Sequence, residues 1–381
     1  MALPKVTVLY ANGNLLQNVG DLDGVCGIVG TAGPDSELIG VPTIVYSLAD
    51  AIEKGFTEAI EPSMYRHLKE FYDELGADKE LHIMVVADTM TLAQMLTNSN
   101  ADGAKKLTIN APGKLRMLAV YRTPPALYDG GEDFIDADVT AAITASKVFA
   151  EARLAELSPM RILIEGRVQN ATQANILEPK TSTNPWAGVV LGGSLDDGSA
   201  SIGLALGRLA KYGAHIKMGK VANGPLVINQ VYIGDDLLKD VSNLTTLHDA
   251  GFISFMTHPQ KAGFFFGIDR MCSIDDFYLL ARGRVVDKAA VICAAVYAEQ
   301  IEGEVDLEPG SNKIATHVVS DLQNQIEQQI NVAMADQISS VKAIIDPNQD
   351  VVTTSTLNVK LKIQPLGYKS FIEVTIGLSA S

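Results

Sequence analysis

Cysteine and tryptophan are scarce in this chain of 381 residues, which holds three cysteines, Cys26, Cys272 and Cys293, and one tryptophan, Trp186. Three widely spaced thiols do not make a disulfide framework, and their odd number points to a reducing compartment. Positive charge is also short: Lys and Arg total 30 against 45 Asp and Glu, a formal net charge of -15. That balance repels a phosphate backbone, so nucleic-acid binding would need a basic patch that the sequence does not show. Long apolar runs are missing, and the longest, such as 291–298, fall far short of the ~20 residues that a membrane span needs. The opening residues carry neither a basic n-region nor an apolar h-region, so no secretory signal is expected and synthesis in the cytoplasm is.

The usual signatures of chemistry are missing too. The glycine-rich stretch Gly24, Gly27, Gly30, Gly33 does not fit GxGxxG and no GK[ST] follows it. A second glycine cluster, Gly192 to Gly198, holds Asp196 and Asp197 where an anion site would need donors. Turns requiring positive φ are the simpler reading of both clusters. The histidines His67, His82, His215, His248, His258 and His317 form no HExxH and no Cys–His cluster, and GxSxG is lacking. Cys272 and Cys293 read as core thiols, Trp186 as a core anchor, and the acidic pairs Asp196-Asp197 and Asp275-Asp276 as caps. No catalytic residue, cofactor site or metal site is expected.

What is present is a folding pattern. Apolar residues make up 47% and charged residues 20% of the chain, enough apolar material for two or three cores. Strand-like runs at 25–31, 81–87, 116–121, 161–168, 187–191, 215–221 and 226–233 alternate with helical patterns at 43–54, 63–75, 90–96, 138–157 and 200–212. Such alternation predicts an α/β layered domain. In the helix at 138–157, Val139, Ile143, Phe149, Ala150, Leu154 and Leu157 favour one side. Beyond residue 250 the texture changes: an aromatic-rich stretch leads to a long, nearly all-apolar helix over 274–301. A second long helix is expected over 313–345, because Ile314, Val318, Leu322, Ile326, Ile330, Met334, Ile338, Val341 and Ile345 recur at spacings of four and once three. Its opposite face carries Gln323, Asn324, Gln325, Gln328, Gln329, Asn331 and Gln337.

Both ends of the chain read as strands. Val6, Val8 and Tyr10 alternate with Lys5, Thr7 and Leu9. Near the other end Leu357, Val359, Leu361 and Ile363 alternate with Asn358, Lys360 and Lys362, before a Pro365-Leu366-Gly367 turn and a strand with Ile372, Val374, Ile376 and Leu378 on one face. A terminal strand must pair its N–H and C=O groups, either in a local hairpin or by addition to a neighbouring copy.

Four stretches in order resemble the contractile tail sheath proteins of phages and related injection systems. They are Ser201-Ile-Gly-Leu-Ala-Leu-Gly-Arg-Leu-Ala210 with His215-Ile-Lys-Met-Gly-Lys-Val221, then Gly263-Phe-Phe-Phe-Gly-Ile-Asp-Arg-Met271, then Arg282-Gly-Arg-Val-Val-Asp-Lys-Ala289, and the hairpin at 357–378 with Gln364-Pro365-Leu366-Gly367-Tyr368 at its turn. They cover about the last half of the chain; residues 40–185 carry no match.

The resemblance implies an inner attachment domain with two long helices and a C-terminal β-hairpin, plus an inserted α/β outer domain and strand-like arms at both termini. Mapped here, 1–20 form the N-terminal arm, 21–250 mainly the outer domain, 251–350 the inner domain, and 351–381 the hairpin and arm. The first strand can belong to the inner domain, which then draws on roughly 1–30 as well. The implied function is a structural subunit that polymerises helically around an inner tube and contracts, with no enzyme activity and no nucleotide in the stroke. Strand exchange is assigned to Lys5, Val6, Thr7, Val8, Leu9 and Tyr10 at one end and to Ile372, Glu373, Val374, Thr375, Ile376, Gly377 and Leu378 at the other. Lys360, Lys362, Lys369, Gln325, Gln328 and Gln329 are candidates to face the tube; residues 351–381 hold three lysines against one glutamate in an otherwise acidic chain. The implied partners are further copies of the chain, the inner tube protein, and baseplate and tail terminator proteins, with no direct nucleic-acid contact and no membrane insertion, in a particle assembled in the bacterial cytoplasm. The rival readings are a nucleotide-binding α/β enzyme using the 24–33 loop, or another self-assembling tail or shell component.

Overall fold

Short runs of Val, Ile, Leu and Met, each bracketed by Gly, Asp or Pro, become the buried strands of a six-stranded sheet. The computed structural model describes residues 23–99, 101–123, 134–172, 176–298, 300–371 and 373. The chain divides into two compact units, Met1–Ala294 and Ala295–Ser381.

In the first unit the order along the chain is β1 (Cys26–Thr31), β2 (Thr43–Val45), α1 (Leu48–Glu53), α2 (Pro62–Leu75), β3 (Leu81–Val86), α3 (Leu92–Met95), α4 (Ala104–Asn110), β4 (Met117–Tyr121), α5 (Ala137–Ala155), β5 (Arg161–Gly166), β6 (Ala187–Leu191) and α6 (Ile202–Lys211). Shorter elements follow: β7 (Tyr232–Ile233), β8 (Asp236–Leu237), α7 (Leu244–Ala250), β9 (Phe255–Met256) and β10 (Phe265–Phe266); α8 (Leu280–Ala298) then runs past the division between the units. The main sheet has the order β2-β3-β1-β4-β5-β6, with every neighbouring pair parallel except β2 with β3. Leaving out β2, this is a doubly wound arrangement that switches direction between β1 and β4.

Close packing rather than turn geometry explains much of the glycine. In α6, Gly203 and Gly207 face the backbone of α2: a Cβ on Gly203 would lie 2.1 Å from the carbonyl oxygen of His67, and one on Gly207 2.6 Å from that of Phe71. The reading of the 24–33 glycines as positive-φ turns is overturned. None of the four has positive φ, and a Cβ on Gly30 would sit 1.9 Å from the Tyr121 ring. That reading does fit Gly192 (φ 88°) and Gly198 (φ 80°).

The far edge of β6 is covered by later backbone, with Leu191 N donating to Ile253 O (2.9 Å) and Cys272 N to Ala187 O (2.7 Å). Cys26 and Cys272 lie fully in the core and burial pushes both thiols up to about 12; that of the half-buried Cys293 rises to about 11. All three stay protonated at neutral pH. On α5, Val139, Ile143, Phe149 and Ala150 are buried, whereas Leu154 and Leu157 at the end of the stripe are exposed.

The second unit is built from α9 (Thr316–Ala333), β11 (Ile338–Ile345), α10 (Val351–Thr354) and β12 (Val359–Pro365). The single helix expected over 313–345 divides in two. Met334 caps α9, Asp336 turns the chain at φ 63°, and the following Ile338, Val341, Ile344 and Ile345 form a strand. A stripe at spacings of three and four continues across the break, yet its β-branched members sit better on a pleated surface.

Other differences have similar causes. Residues 43–45 are strand because Thr-Ile-Val is β-branched, and the helix begins only after Ser47, whose hydroxyl accepts from Asp50 N (3.1 Å). Residues 215–221 form turns packed against the backbone at Gly219, and of 226–233 only the last two residues are strand. The helix expected over 274–301 is confined to Leu280–Ala298. Finally, β12 pairs with β11, upstream of it, so the described hairpin is not the one expected over 357–378.

Candidate functional site

Doubly wound sheets take ligands at the carboxyl ends of their strands, where the strand order switches. Here that position is filled by the chain itself. Tyr121 at the end of β4 lies over Gly30, donates its hydroxyl to Thr31 O (3.2 Å) and packs against the buried His67, ring centroids 4.6 Å apart and planes tilted by 53°. The main-chain donors that would bind a phosphate are taken by carboxylates. Glu61 Oε2 accepts from Gly33 N (2.7 Å), and the buried Glu165 accepts from Arg122 N (3.0 Å), Ala200 N (3.3 Å) and Arg167 Nη2 (2.8 Å). Burial would raise the Glu70 carboxyl, but the neighbouring His67 ring, Arg66 charge and Ser194 hydroxyl outweigh it and hold the group down at about 2. Among the described residues, no group of three His, Cys, Asp or Glu could hold a metal ion. After β1 comes β2, not a helix, so the stretch ending at Gly33 lacks the helix N-terminus of a phosphate loop. Asp197 turns back on Ser199 N (2.9 Å), closing the Gly192–Gly198 loop on itself.

Unfilled valence lies instead on the β11–β12 ribbon. Its register pairs Val341 with Ile363, Lys342 with Lys362, Ala343 with Leu361, Ile344 with Lys360 and Ile345 with Val359. One face carries the buried Val341, Ala343 and Ile345 opposite the half-buried Ile363, Leu361 and Val359; the other exposes Ser340, Lys342, Lys360, Lys362 and Gln364. Lys342 and Lys362 are thus like charges directly opposite each other, with Lys360 on the same face. Such a placement is unfavourable by a few tenths to about 1 kcal/mol in an isolated sheet.

The two edges of the ribbon differ. Both main-chain groups of Ala343 turn outward to α9, its N–H donating to Glu327 Oε1 (2.8 Å) and its C=O accepting from Gln323 Nε2 (3.1 Å). In an antiparallel ladder the opposite residue then also turns its N–H and C=O outward. Leu361, flanked by Val359 and Ile363, therefore directs these groups to the far edge of β12, and among the described residues no strand pairs with that edge.

The residues singled out from the sequence fare unequally. Lys360 and Lys362 stand together on the exposed face of β12, and Lys369 is exposed beyond it. Gln328 and Gln329 are exposed and Gln325 half-buried on a different element, α9. Lys5 to Tyr10, Ile372 and Val374 to Leu378 lie outside the described residues, while Glu373 is exposed. Lys342 is hidden within the expected helix; the alternation of Val341, Ala343 and Ile345 with Ser340 and Lys342 is the signal that finds it.

A family profile described as DUF2586, N-terminal domain, matches residues 3–270, and one described as DUF2586, C-terminal domain, matches 276–381. The chain belongs to the DUF2586 family. A sequence comparison with curated proteins finds no match. Among solved structures, this DUF2586 chain is similar to a protein in the cryo-EM structure of the anti-feeding prophage baseplate, with 13% identity, TM-score 0.62 and 100% of both chains covered. It is also similar to the contracted helical sheath of that particle, at 14% identity, TM-score 0.62 and 99% of both chains. A third likeness is to the PVC sheath complex of an extracellular contractile injection system in the contracted state, at 10% identity, TM-score 0.57 and 99% of this chain against 98% of that one. The DUF2586 chain has the sheath fold of contractile injection systems along its whole length.

Proposed function

We propose that the chain is the sheath subunit of a contractile tail or tail-like particle, polymerising helically around an inner tube and contracting to drive that tube through a target envelope. The observation that carries this reading is the match in fold over 99% of both chains to a helical sheath in its contracted state. Strand exchange supplies the polymer's continuity: the open edge of β12 at Val359, Leu361 and Ile363 receives a strand from a neighbouring copy, and the segments Lys5–Tyr10 and 372–378 are the donors. Main-chain hydrogen bonds give such a joint affinity, and the alternating side chains give it register.

The lysine face of the ribbon meets an acidic surface of the inner tube, which relieves the Lys342–Lys362 opposition. The Gln-rich face of α9 is the second candidate for tube contact. Contraction draws on the difference between two sets of subunit contacts, so the chain is not an enzyme and no nucleotide is spent. The filled crest of the β1–β4 switch point supports this over the nucleotide-binding alternative. Baseplate and terminator proteins would close the ends of the polymer, inside the bacterial cytoplasm; no helix among the described residues is long and apolar enough to cross a membrane.

Negative-stain micrographs of the purified full-length protein and of a chain lacking 372–381 test the proposal. Tubes from the first and folded, unassembled subunits from the second are expected. A discrete small oligomer from the full-length chain, or regular tubes from the truncated one, overturns it.

A further inference from the structure

Helix α5 ends in a Schellman turn. Ser158 N donates to Arg153 O and Leu157 N to Leu154 O, both at 2.9 Å, and Leu157 occupies the position after the cap with φ 56°. Glycine is the usual residue there, because a Cβ in the left-handed region crowds the following carbonyl. The other described non-glycine residues with positive φ are Thr183, Gln260, Glu302, Asp336 and Ser355, all of them polar. Leu157 alone is apolar, and burial does not offset its strain, since it is 64% exposed. A bulky residue held in this way points to a function for its side chain.

The turn borders a cavity of about 320 Å³, lined by Ile109, Ala111 and Pro112 after α4 and by Glu156, Ser158 and Met160 after α5. Ile109 is itself 62% exposed, and Leu157 stands in the chain between two of the lining residues. The charged part of the lining is already paired: Arg153 bonds Glu156 from Nη1 at 2.7 Å and from Nη2 at 2.8 Å, and Nη2 also donates to Asn98 Oδ1 at 2.8 Å. Only its buried Nε lacks an acceptor. The cavity can thus anchor one carbonyl and apolar atoms, but it holds no free charge to orient a small ionic ligand. Positive charge gathers beside it instead. Residues 103–116 contain Lys105, Lys106, Lys114 and Arg116 and no acid. The three lysines are half-exposed; Lys106 and Lys114 have Asp102 and Glu80 nearby, while Lys105 forms no ion pair among the described residues.

We infer that this face, the cavity together with Ile109 and Leu157, is a contact between copies of the chain, in which an exposed apolar side chain of a second copy enters the cavity and its surroundings cover the strained leucine. The inference rests on the self-assembly proposed above. A small molecule inside the cavity would leave Leu157 in solvent, whereas a protein surface covers both. Charge selects the second copy: a chain with a formal net charge of -15 presents mostly acid, the sign that fits the lysines. A pocket that takes a side chain from a different site on an identical molecule makes a heterologous contact, which repeats without closing and so suits a helical polymer.

The test uses the full-length chain. Leu157→Gly relieves the strain, so the unassembled subunit is expected to melt at or above the wild-type midpoint, while the critical concentration for assembly, read by pelleting, rises roughly fivefold or more. Ile109→Lys, at an exposed helix position, should melt near wild type and raise the critical concentration likewise. A photo-crosslinking amino acid at Ile109, in plain and isotope-labelled chains assembled together, is expected to give mixed-label peptide pairs. A wild-type critical concentration in either variant overturns the inference. So does a Leu157→Gly midpoint well below wild type, which would assign the leucine to the fold, or a crosslink confined to one chain, which would mean that the chain's own residues cover the face. Failure of the sheath reading looks different: a discrete small oligomer overturns that reading alone, with the crosslinks still deciding the contact, and a chain that stays monomeric overturns both.

Discussion

Leu361→Pro separates the fold of the subunit from its assembly. The Leu361 N–H points to the open edge of β12 and bonds nothing within the ribbon, so proline there removes no ladder bond, and edge strands tolerate it at such positions. Lys362 is the contrast: its N–H faces β11 opposite Lys342, and Lys362→Pro breaks the ribbon itself. If a neighbour's strand docks on the free edge, proline at 361 deletes one main-chain bond, about 0.5–1.5 kcal/mol, and its ring holds the incoming strand off at the adjacent position. A loss of about 1–3 kcal/mol per joint raises the critical concentration for assembly roughly 5- to 150-fold. Pelleting across a concentration series, with negative-stain microscopy and a thermal melt of the unassembled subunit, reads both effects. The expected result is a near-normal melt for Leu361→Pro together with failed or delayed assembly. Tubes of Leu361→Pro at the wild-type critical concentration would refute the assignment of β12 as an acceptor strand.

Three further outcomes are expected. Gly203→Ala should gain about 1 kcal/mol of helix propensity but lose more by pushing α6 off α2, since its Cβ would lie 2.1 Å from a main-chain oxygen; a urea midpoint at or above wild type would contradict that packing. Arg161→Leu should lower stability by about 3–5 kcal/mol because it strands Asp287, which it holds through two bonds of 2.6 and 2.7 Å, in the interior, while Arg161→Leu with Asp287→Leu recovers most of the loss; equal urea curves for single and double variants would speak against a pair. The buried His67 and His82 are held below their ordinary range, chiefly by burial; the unfolded chain therefore takes up protons first as pH falls below about 6.5, and each contributes a loss of up to about 1.4 kcal/mol per pH unit. A flat urea midpoint between pH 7 and 5.5 would exclude this.

The five parallel strands are legible in the sequence because burial on both faces demands continuous Val, Ile and Leu, and such runs stand out between turns. Strands of two residues such as β7 to β10 have no period to detect. The α9–β11 break is hidden because spacings of three and four fit a helix and, in part, a strand; only Asp336 and the β-branched residues after it tell them apart. The charged interior is hidden for another reason. Arg161 and Asp287 lie 126 residues apart, and a single sequence shows neither their proximity nor that Gly283 makes room for them, a Cβ there lying 2.6 Å from the Arg161 guanidinium carbon. The ribbon's lysine face is half legible: Lys360 and Lys362 alternate plainly, whereas Lys342 becomes visible only once 338–345 is read as strand.

The distribution of polar groups bears on how such a chain could carry force. Within Met1–Ala294, three buried pairs are formed by Arg161 with Asp287, Arg167 with Glu165 and Arg208 with Glu74, all within 3.1 Å and nearly solvent-free. Buried pairs add little net stability over apolar packing, but breaking one is expensive, so they oppose partial opening more than they favour folding. A unit built this way resists deformation. In Ala295–Ser381 the ribbon does the reverse: among the described residues one strand edge is unpaired and three like charges share its exposed face. On the proposed function, a subunit that moves as a rigid body during contraction would require both properties at once: strain would fall on joints between copies, and those joints would consist of bonds that one subunit alone cannot complete.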